Sequence, residues 1–138
     1  MPDAATAESG VNEMHDIDYN DKYFVGVENY DSGDLTAETV FHYRQNGEVV
    51  WGTFEGGGAV HGNLVAKVLE GGRLEMVWQY LNRDGKFIGG TCISTPEILP
   101  DGRIRLKESW QIAGGGEMGK SVIEEVRRQG AGRDIKKD

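Results

Sequence analysis

The stretch RIRLKESWQI, residues 103–112, has the period-two alternation that is typical of a half-buried β-strand. One side of this strand carries four large apolar residues, Ile104, Leu106, Trp110 and Ile112. The same side also carries Glu108, and a carboxylate among apolar side chains costs free energy unless something compensates it. The alternation therefore predicts a strand that faces an interior and carries Glu108 into it.

Turn signals divide the rest of the chain into further short segments. Glycine is frequent, with 21 residues, and pairs such as Asn46-Gly47 and Asp84-Gly85 are typical of turns. The predicted strands are residues 22–30, 37–46, 48–56, 58–70, 73–82, 86–95, 103–113 and 118–128. Eight strands joined by short loops predict an all-β, antiparallel up-and-down meander that closes into a barrel and so has no exposed edge. This single barrel domain, residues 22–128, is expected between a disordered tail (1–21) and a flexible charged tail (129–138).

Side-chain chemistry selects the register of the hairpin around Gly71-Gly72. A loop of three residues places Leu64 opposite Trp78 on one face and Lys67 opposite Glu75 on the other. One face then becomes apolar and the other polar with complementary charges, as a half-buried hairpin requires. A two-residue loop would mix the two faces, so we predict the three-residue loop.

The hairpin at Asn46-Gly47 is predicted to have a type I′ turn, since this dipeptide favours it. That turn pairs Tyr43 with Val50 inside the barrel and His42 with Trp51 outside. Trp51 and two nearby valines give more outward apolar surface than an isolated barrel wall is expected to show. We therefore expect a homodimer or higher homo-oligomer formed through the Trp51 face.

The registers together define a predicted interior. Its members are Val25, Val27, Asn29, Phe41, Tyr43, Val50, Phe54, Leu64, Ala66, Val68, Leu74, Met76, Trp78, Tyr80, Leu106, Glu108 and Trp110. An eight-stranded barrel either fills itself with side chains or holds one small ligand. Gly52, Gly62 and one of Gly89 or Gly90 also fall inside, where they either accommodate the indole rings or leave a cavity.

The polar members of this interior point to a ligand site. The predicted ligand-binding residues are Asn29, Tyr43, Trp78, Tyr80, Glu108 and Trp110. A mostly apolar cavity with a few converging polar groups is the usual form of a small-molecule site. We therefore interpret the barrel as a carrier of a small apolar or amphipathic molecule.

Two other functions stay open at this point. An isomerase or cyclase-type enzyme would use Glu108 as a general acid or base, which makes it the candidate catalytic residue. A filled barrel would instead serve as a structural or oligomerisation module, with Glu108 satisfied by a Tyr, Trp or Arg side chain. An inward Glu125 beside Ser121 would join the cavity.

Composition excludes several other classes of function. The net charge of −8 and the isoelectric point near 4.9 argue against nucleic acid or an anionic membrane as a partner. Cys92 is the single cysteine, so no intrachain disulfide forms, and we expect a buried structural thiol. The three histidines are widely spaced, so no metal or cofactor is expected. The N-terminus lacks the features of a signal peptide, and a cytoplasmic location is expected.

Several segments resemble a family of small bacterial proteins with no established activity. They are VFHYRQNGEVVWGTFEGG (40–57), LEMVWQYLN (74–82), GGTCIS (89–94), DGRIRLKESWQI (101–112) and GKSVIEEV (119–126). The resemblance covers about residues 22–126, and its most specific part is DGRIRLKESWQ. Members of this family are often labelled hypothetical or N-acetylglutamate synthase-like, and the resemblance implies an avidin- or lipocalin-like barrel that holds a ligand inside. An acetyl-CoA enzyme would need a phosphate-binding loop at a helix N-terminus, and this sequence shows neither.

Overall fold

The computed structural model describes residues 17–29 and 33–127, which form a closed antiparallel barrel. Its strands are β1 (Lys22–Glu28), β2 (Val40–Asn46), β3 (Val49–Gly56), β4 (Ala59–Val68), β5 (Leu74–Asn82), β6 (Phe87–Ile98), β7 (Ile104–Ile112) and β8 (Met118–Val126). Each strand pairs with the next one along the chain, and β8 pairs with β1 to close the barrel. The predicted eight-stranded up-and-down fold is confirmed. Residues 1–16 of the N-terminal tail predicted over 1–21, and the whole tail predicted over 129–138, lie outside the described residues.

The register of the β4–β5 hairpin is the predicted one. Leu64 lies opposite Trp78, and Lys67 lies opposite Glu75 on the outer face. The loop contains a single 3-10 turn over Glu70–Gly72, and Gly71 adopts a φ of 77°, in the left-handed region that favours glycine. The outer pair is also an ion pair, with Lys67 Nζ and Glu75 Oε1 separated by 3.7 Å.

The predicted register of the β2–β3 hairpin is wrong by two residues. Tyr43 pairs with Gly52 rather than Val50, and Trp51 faces Arg44 rather than His42. The cause is the turn, whose central residues are Gly47 and Glu48, with Gly47 at a φ of 63°. A shift of two residues leaves every side chain on its predicted face, because the period of a strand is two.

The face assigned to Val25 and Val27 in β1 is also wrong. Phe24 is fully buried inside the barrel, whereas Val27 is 45% exposed. Alternation favours the side with Tyr23, Val25 and Val27, because the other side carries Lys22 and Glu28 at its two ends. The large aromatic ring of Phe24 gains more from burial, and it decides which side faces the interior. The pairing with β8 shifts register between Gly26 and Glu28, at the end of the strand.

Residues 17–21 close one end of the barrel. Tyr19 is fully buried, and its hydroxyl donates a hydrogen bond of 2.7 Å to the carbonyl oxygen of Gly72. Its backbone N–H donates to Oε1 of Gln45 at 2.8 Å. The predicted tail over 1–21 is therefore too long, because Ile17 and Tyr19 belong to the buried core. The level of the barrel beside this plug is filled by Phe24, Val50, Leu74, Ile104, Leu106 and Ile123.

Two substitutions at Tyr19 test whether this segment is part of the folded core. Tyr19→Ala removes a buried ring and is expected to lower the free energy of unfolding by about 3–5 kcal/mol. Tyr19→Phe keeps the ring but leaves the carbonyl oxygen of Gly72 without its donor, which is expected to cost about 1–3 kcal/mol. Urea unfolding measures both values. Equal losses in the two variants, or none in either, would contradict a packed plug.

Candidate functional site

The half of the barrel away from the plug encloses a cavity of about 290 Å³. Its apolar lining consists of Leu35, Phe41, Phe54, Leu64, Met76, Trp78, Ile88, Trp110 and Ile112. Its polar lining consists of Asn29, Asp34, Tyr43, Tyr80, Cys92, Glu108 and Glu117. All six residues predicted from the sequence to bind a ligand therefore lie in one cavity wall. The volume is close to the lower limit of small-molecule pockets, about 300 Å³.

Glu108 lies buried in the cavity wall on β7, and only 7% of it is exposed. Ser94 on β6 and Ser121 on β8 are directly opposite it in the two registers. The hydroxyl of Ser94 donates to Oε2 of Glu108 at 3.1 Å, and that of Ser121 donates to Oε1 at 3.4 Å. Each carboxylate oxygen is thus held by a hydroxyl from a neighbouring strand, which compensates the cost of burying it.

Cys92 lies on β6 beside this carboxylate. Its Sγ is 3.7 Å from the hydroxyl oxygen of Ser94. Burial raises the pKa of the Cys92 thiol far above its ordinary value, and the negative charge of Glu108 raises it further. The thiol is therefore neutral near pH 7, which removes it as a nucleophile because the thiolate is the reactive form. The buried thiol expected from the sequence is found in the structure.

Aromatic side chains form one side of the cavity. Trp78 and Tyr80 stack with their ring centroids 6.0 Å apart and their planes 16° from parallel. The indole N–H of Trp78 donates to the carbonyl oxygen of Thr91 at 3.1 Å, so its polar edge is satisfied by the barrel wall. Both rings line the cavity, where aromatic side chains can contact a ligand.

Glycines lie behind both indole rings of the cavity. A Cβ on Gly90 would lie 2.7 Å from Cζ2 of Trp78, and one on Gly119 would lie 2.6 Å from Cζ2 of Trp110. Real Cβ atoms do not approach so closely, so any side chain here would displace an indole. Of the glycines expected inside from the sequence, Gly90 accommodates an indole ring, whereas Gly62 lies against Phe54 and Tyr80 and Gly52 lies against the backbone of β2. Gly119 was not among them.

The mouth of the cavity is organised by Asp34, in the connection between β1 and β2. Its Oδ2 accepts hydrogen bonds of 3.1 Å from the hydroxyl of Tyr80 and from the side-chain amide of Asn82. Burial raises the pKa of Tyr80, and the charge and hydrogen bond of Asp34 raise it further. Sequence reasoning missed Asp34 because it is 46 residues from Tyr80 and lies in no periodic segment. The register of β5 places Tyr80 and Asn82 on the inner face, and two polar side chains there indicate a polar partner at the mouth.

Glu125, considered for the cavity from the sequence, lies elsewhere. It is buried at the closed end, where its Oε1 accepts a hydrogen bond of 3.0 Å from the backbone N–H of Ile104. It does not line the cavity. Glu124 points outward and forms an ion pair with Arg105 at 3.0 Å. Over residues 17–29 and 33–127 there is no group of three or more His, Cys, Asp or Glu that could hold a metal ion.

Fold and site together define a class of protein, the small closed β-barrel with an internal cavity open at one end. The family described as avidin-like protein matches residues 17–126, which is most of the chain. The chain therefore belongs to the avidin-like family. The search of curated proteins and that of solved structures each returned no match. In the part of the chain that is described, no helix has the length and apolar character needed to cross a membrane.

The protonated state of Cys92 leads to a test with thiol reagents. Since the pKa is raised, the folded protein is expected to react with iodoacetamide at pH 8 at least about a hundred-fold more slowly than the urea-unfolded chain. Mass spectrometry of timed samples measures the alkylated fraction. Comparable rates in the folded and unfolded protein would show that a thiolate forms in the cavity.

Proposed function

We propose that the protein binds a small, largely apolar molecule inside its barrel. The observation that carries this proposal is the cavity of about 290 Å³, lined by apolar and aromatic side chains with few polar groups among them. Membership of the avidin-like family agrees with it, since this fold is suited to holding a small molecule inside. At the packing density of protein interiors, about 0.74, the cavity holds a ligand with a van der Waals volume of about 200 Å³, the size of a compound with one or two rings.

The proposed contacts follow from where each residue lies between the closed end of the barrel and its mouth. Trp78, Tyr80 and Trp110 provide the ring faces against which the ligand stacks. Glu108 and Tyr43 provide polar groups deeper in the cavity, and Asn29, which follows β1, provides one at the mouth. Because Glu108 is buried, a ligand group that reaches it loses its hydration, and contacts with the protein must replace the lost hydrogen bonds.

The three tryptophans allow a test of this proposal by fluorescence. Trp78 and Trp110 line the cavity, whereas Trp51 is on the outer face and is 40% exposed. A panel of one- and two-ring compounds without absorption above 290 nm (about the excitation limit for selective tryptophan work) is titrated while tryptophan emission is recorded. Binding is expected to change emission in the wild type and in Trp51→Phe, and to change it by about half as much in Trp78→Phe or Trp110→Phe.

The Trp51→Phe variant is the matched control, since it loses the same chromophore outside the cavity. A change that disappears with Trp51 and persists in both inner variants would place the ligand outside the barrel. Absence of any response across the panel, together with absence of any shift in the unfolding temperature, would overturn the proposal.

The enzyme alternative concerns the same cavity. General acid or base catalysis by Glu108 stays a prediction, because nothing in the arrangement of Glu108, Ser94 and Ser121 favours proton transfer over recognition of a ligand. The filled-barrel alternative assumes an interior without a cavity, and the cavity of about 290 Å³ counts against it.

We also propose that the protein forms a homodimer through the outer face of β3–β5. Trp51, Val65 and Val77 are successive partners across these strands, and they form an exposed apolar row. Val65 is 58% exposed and Val77 is 62% exposed, which is costly for large apolar side chains in water. A two-fold axis through Val65 would bring the apolar row of one protomer against the same row of its partner, since an isologous interface uses the same patch on both subunits.

One charge placed in this row tests the dimer. Val65→Glu is expected to convert a dimer into a monomer, because it buries an unpaired carboxylate in the interface. Light scattering coupled to size-exclusion chromatography measures the mass. Val27→Glu is the control, since Val27 is comparably exposed but lies on β1. A wild type that is monomeric at every concentration would refute this interface.

A further inference from the structure

Among the described residues that line the cavity, the charged side chains are all carboxylates. Glu108 lies in the buried wall, Asp34 lies at the mouth, and Glu117 lies in the β7–β8 loop. Among the described residues that line the cavity there is no Lys, Arg or His. A ligand that enters therefore meets carboxylates at two levels and no cationic side chain.

We propose that the natural ligand of this cavity is a cation, a protonated amine on a compact aromatic or alicyclic body, and that the cavity rejects carboxylates of the same shape. This inference rests on the proposed binding function and adds the chemical class of the ligand. It follows from three features, the charge at the cavity wall, the aromatic lining and the distribution of cations over the barrel.

Glu108 makes the deep part of the cavity selective for charge. Its carboxylate is held in place by the hydroxyls of Ser94 and Ser121, so it cannot turn away from the lumen without losing both hydrogen bonds. An ammonium group near it exchanges its hydration for a favourable ionic contact, whereas a carboxylate would lose its hydration and be repelled. Because the site is buried, salt screens this interaction far less than it screens a surface pair.

The aromatic lining of the cavity also favours a cationic ligand. Cations are attracted to the faces of Trp and Tyr rings, and the effect is larger where water is excluded. Trp78 and Tyr80 are stacked with each other, and Trp110 follows Glu108 by two residues on the same face of β7. Inside this one cavity, an ammonium group thus meets a carboxylate and aromatic rings, both of which favour positive charge.

The cationic side chains of β7 nearest to Glu108 lie on the outer side of the barrel wall. β7 carries Arg105 and Lys107 next to Glu108, but both point outward, where Arg105 pairs with Glu124 and Lys107 pairs with Glu97. Alternation along one strand thus separates the charges, with the positive ones outside and the negative one inside. At the mouth, Asp34 and Glu117 add a negative field, which favours the approach of a cation.

Three naphthalene compounds with the same ring system test the inference on the wild-type protein. They are 1-naphthylmethylamine, 1-naphthalenemethanol and 1-naphthoate, which are cationic, neutral and anionic at pH 7. Isothermal titration calorimetry measures each affinity. The amine is expected to bind at least about ten-fold more tightly than the alcohol, and the carboxylate is expected to show no measurable binding.

Two variants then locate the selectivity. Glu108→Gln is expected to weaken amine binding by about ten-fold or more and to change alcohol binding by less than about two-fold. Glu75→Gln is the matched control, because it removes the same charge from the exposed outer face of β5 and should leave both affinities unchanged. Asp34→Asn changes the mouth rather than the buried wall, and it is expected to weaken amine binding by about three-fold even if Glu108→Gln does not fold.

The outcomes separate this inference from the proposed function. If the alcohol or the carboxylate binds as tightly as the amine, the charge selectivity is refuted while the barrel remains a binding protein. If none of the three compounds binds and the broader fluorescence panel is also silent, both proposals fail. Equal losses of amine binding in Glu108→Gln and Glu75→Gln would attribute the preference to the net charge of the protein and overturn the role of the cavity.

Discussion

The pair of hydrogen bonds that Ser94 and Ser121 donate to Glu108 is the constraint on which the interior depends. A buried carboxylate is tolerated only where polar partners replace its water. Here the partners are the residues directly opposite on both neighbouring strands, so the registers of β6–β7 and β7–β8 must both be correct for the site to exist. A slip of one residue in either hairpin would turn its serine to the outside. The charge at the centre of the barrel thus ties three strands to a single alignment.

The two halves of the barrel differ in how the interior is filled. Near the plug, aliphatic and aromatic side chains such as Leu74, Leu106 and Tyr19 are fully buried in the core. Towards the mouth, glycines alternate with aromatic residues, and the rings lie over the glycines instead of meeting in the centre. The packed half beside the plug forms the floor of the cavity. The indole rings of Trp78 and Trp110, which lie over glycines, form part of its walls. Preorganised walls of this kind lower the entropy cost of ordering side chains when a ligand binds.

The sequence predicted most of this architecture because alternation and glycine placement are local signals. The loop around Gly71 and the inward face of β7 follow from the chemistry of a few residues, and both are found in the structure. The errors occurred where local chemistry was ambiguous. In β1 the valines share one face, whereas the single large ring of Phe24 lies on the other. At Asn46-Gly47, two turns whose centres differ by one residue put the same side chains on the same faces.

The contacts that sequence reasoning missed are the long-range ones. Asp34 reaches Tyr80 across 46 residues, and Tyr19 reaches Gly72 across 53. Neither pair leaves a periodic signal, because each joins a loop or terminal segment to a distant strand. The serine partners of Glu108 are a middle case, since the register of two hairpins would have identified them. The Pro100-Asp101-Gly102 turn fixes the pairing of β6 with β7, and that pairing places Ser94 opposite Glu108.

Closure of the barrel has a consequence for how the chain folds. β1 pairs with β8, so Tyr23 lies opposite Val126 and six other strands separate these two hydrogen-bonded strands along the chain. Contacts of such separation form late, because the chain entropy of a long loop is lost before they are made. During synthesis, β1 therefore leaves the ribosome long before its partner and must wait with one edge unpaired. Until the last strand emerges, that edge is open to other chains.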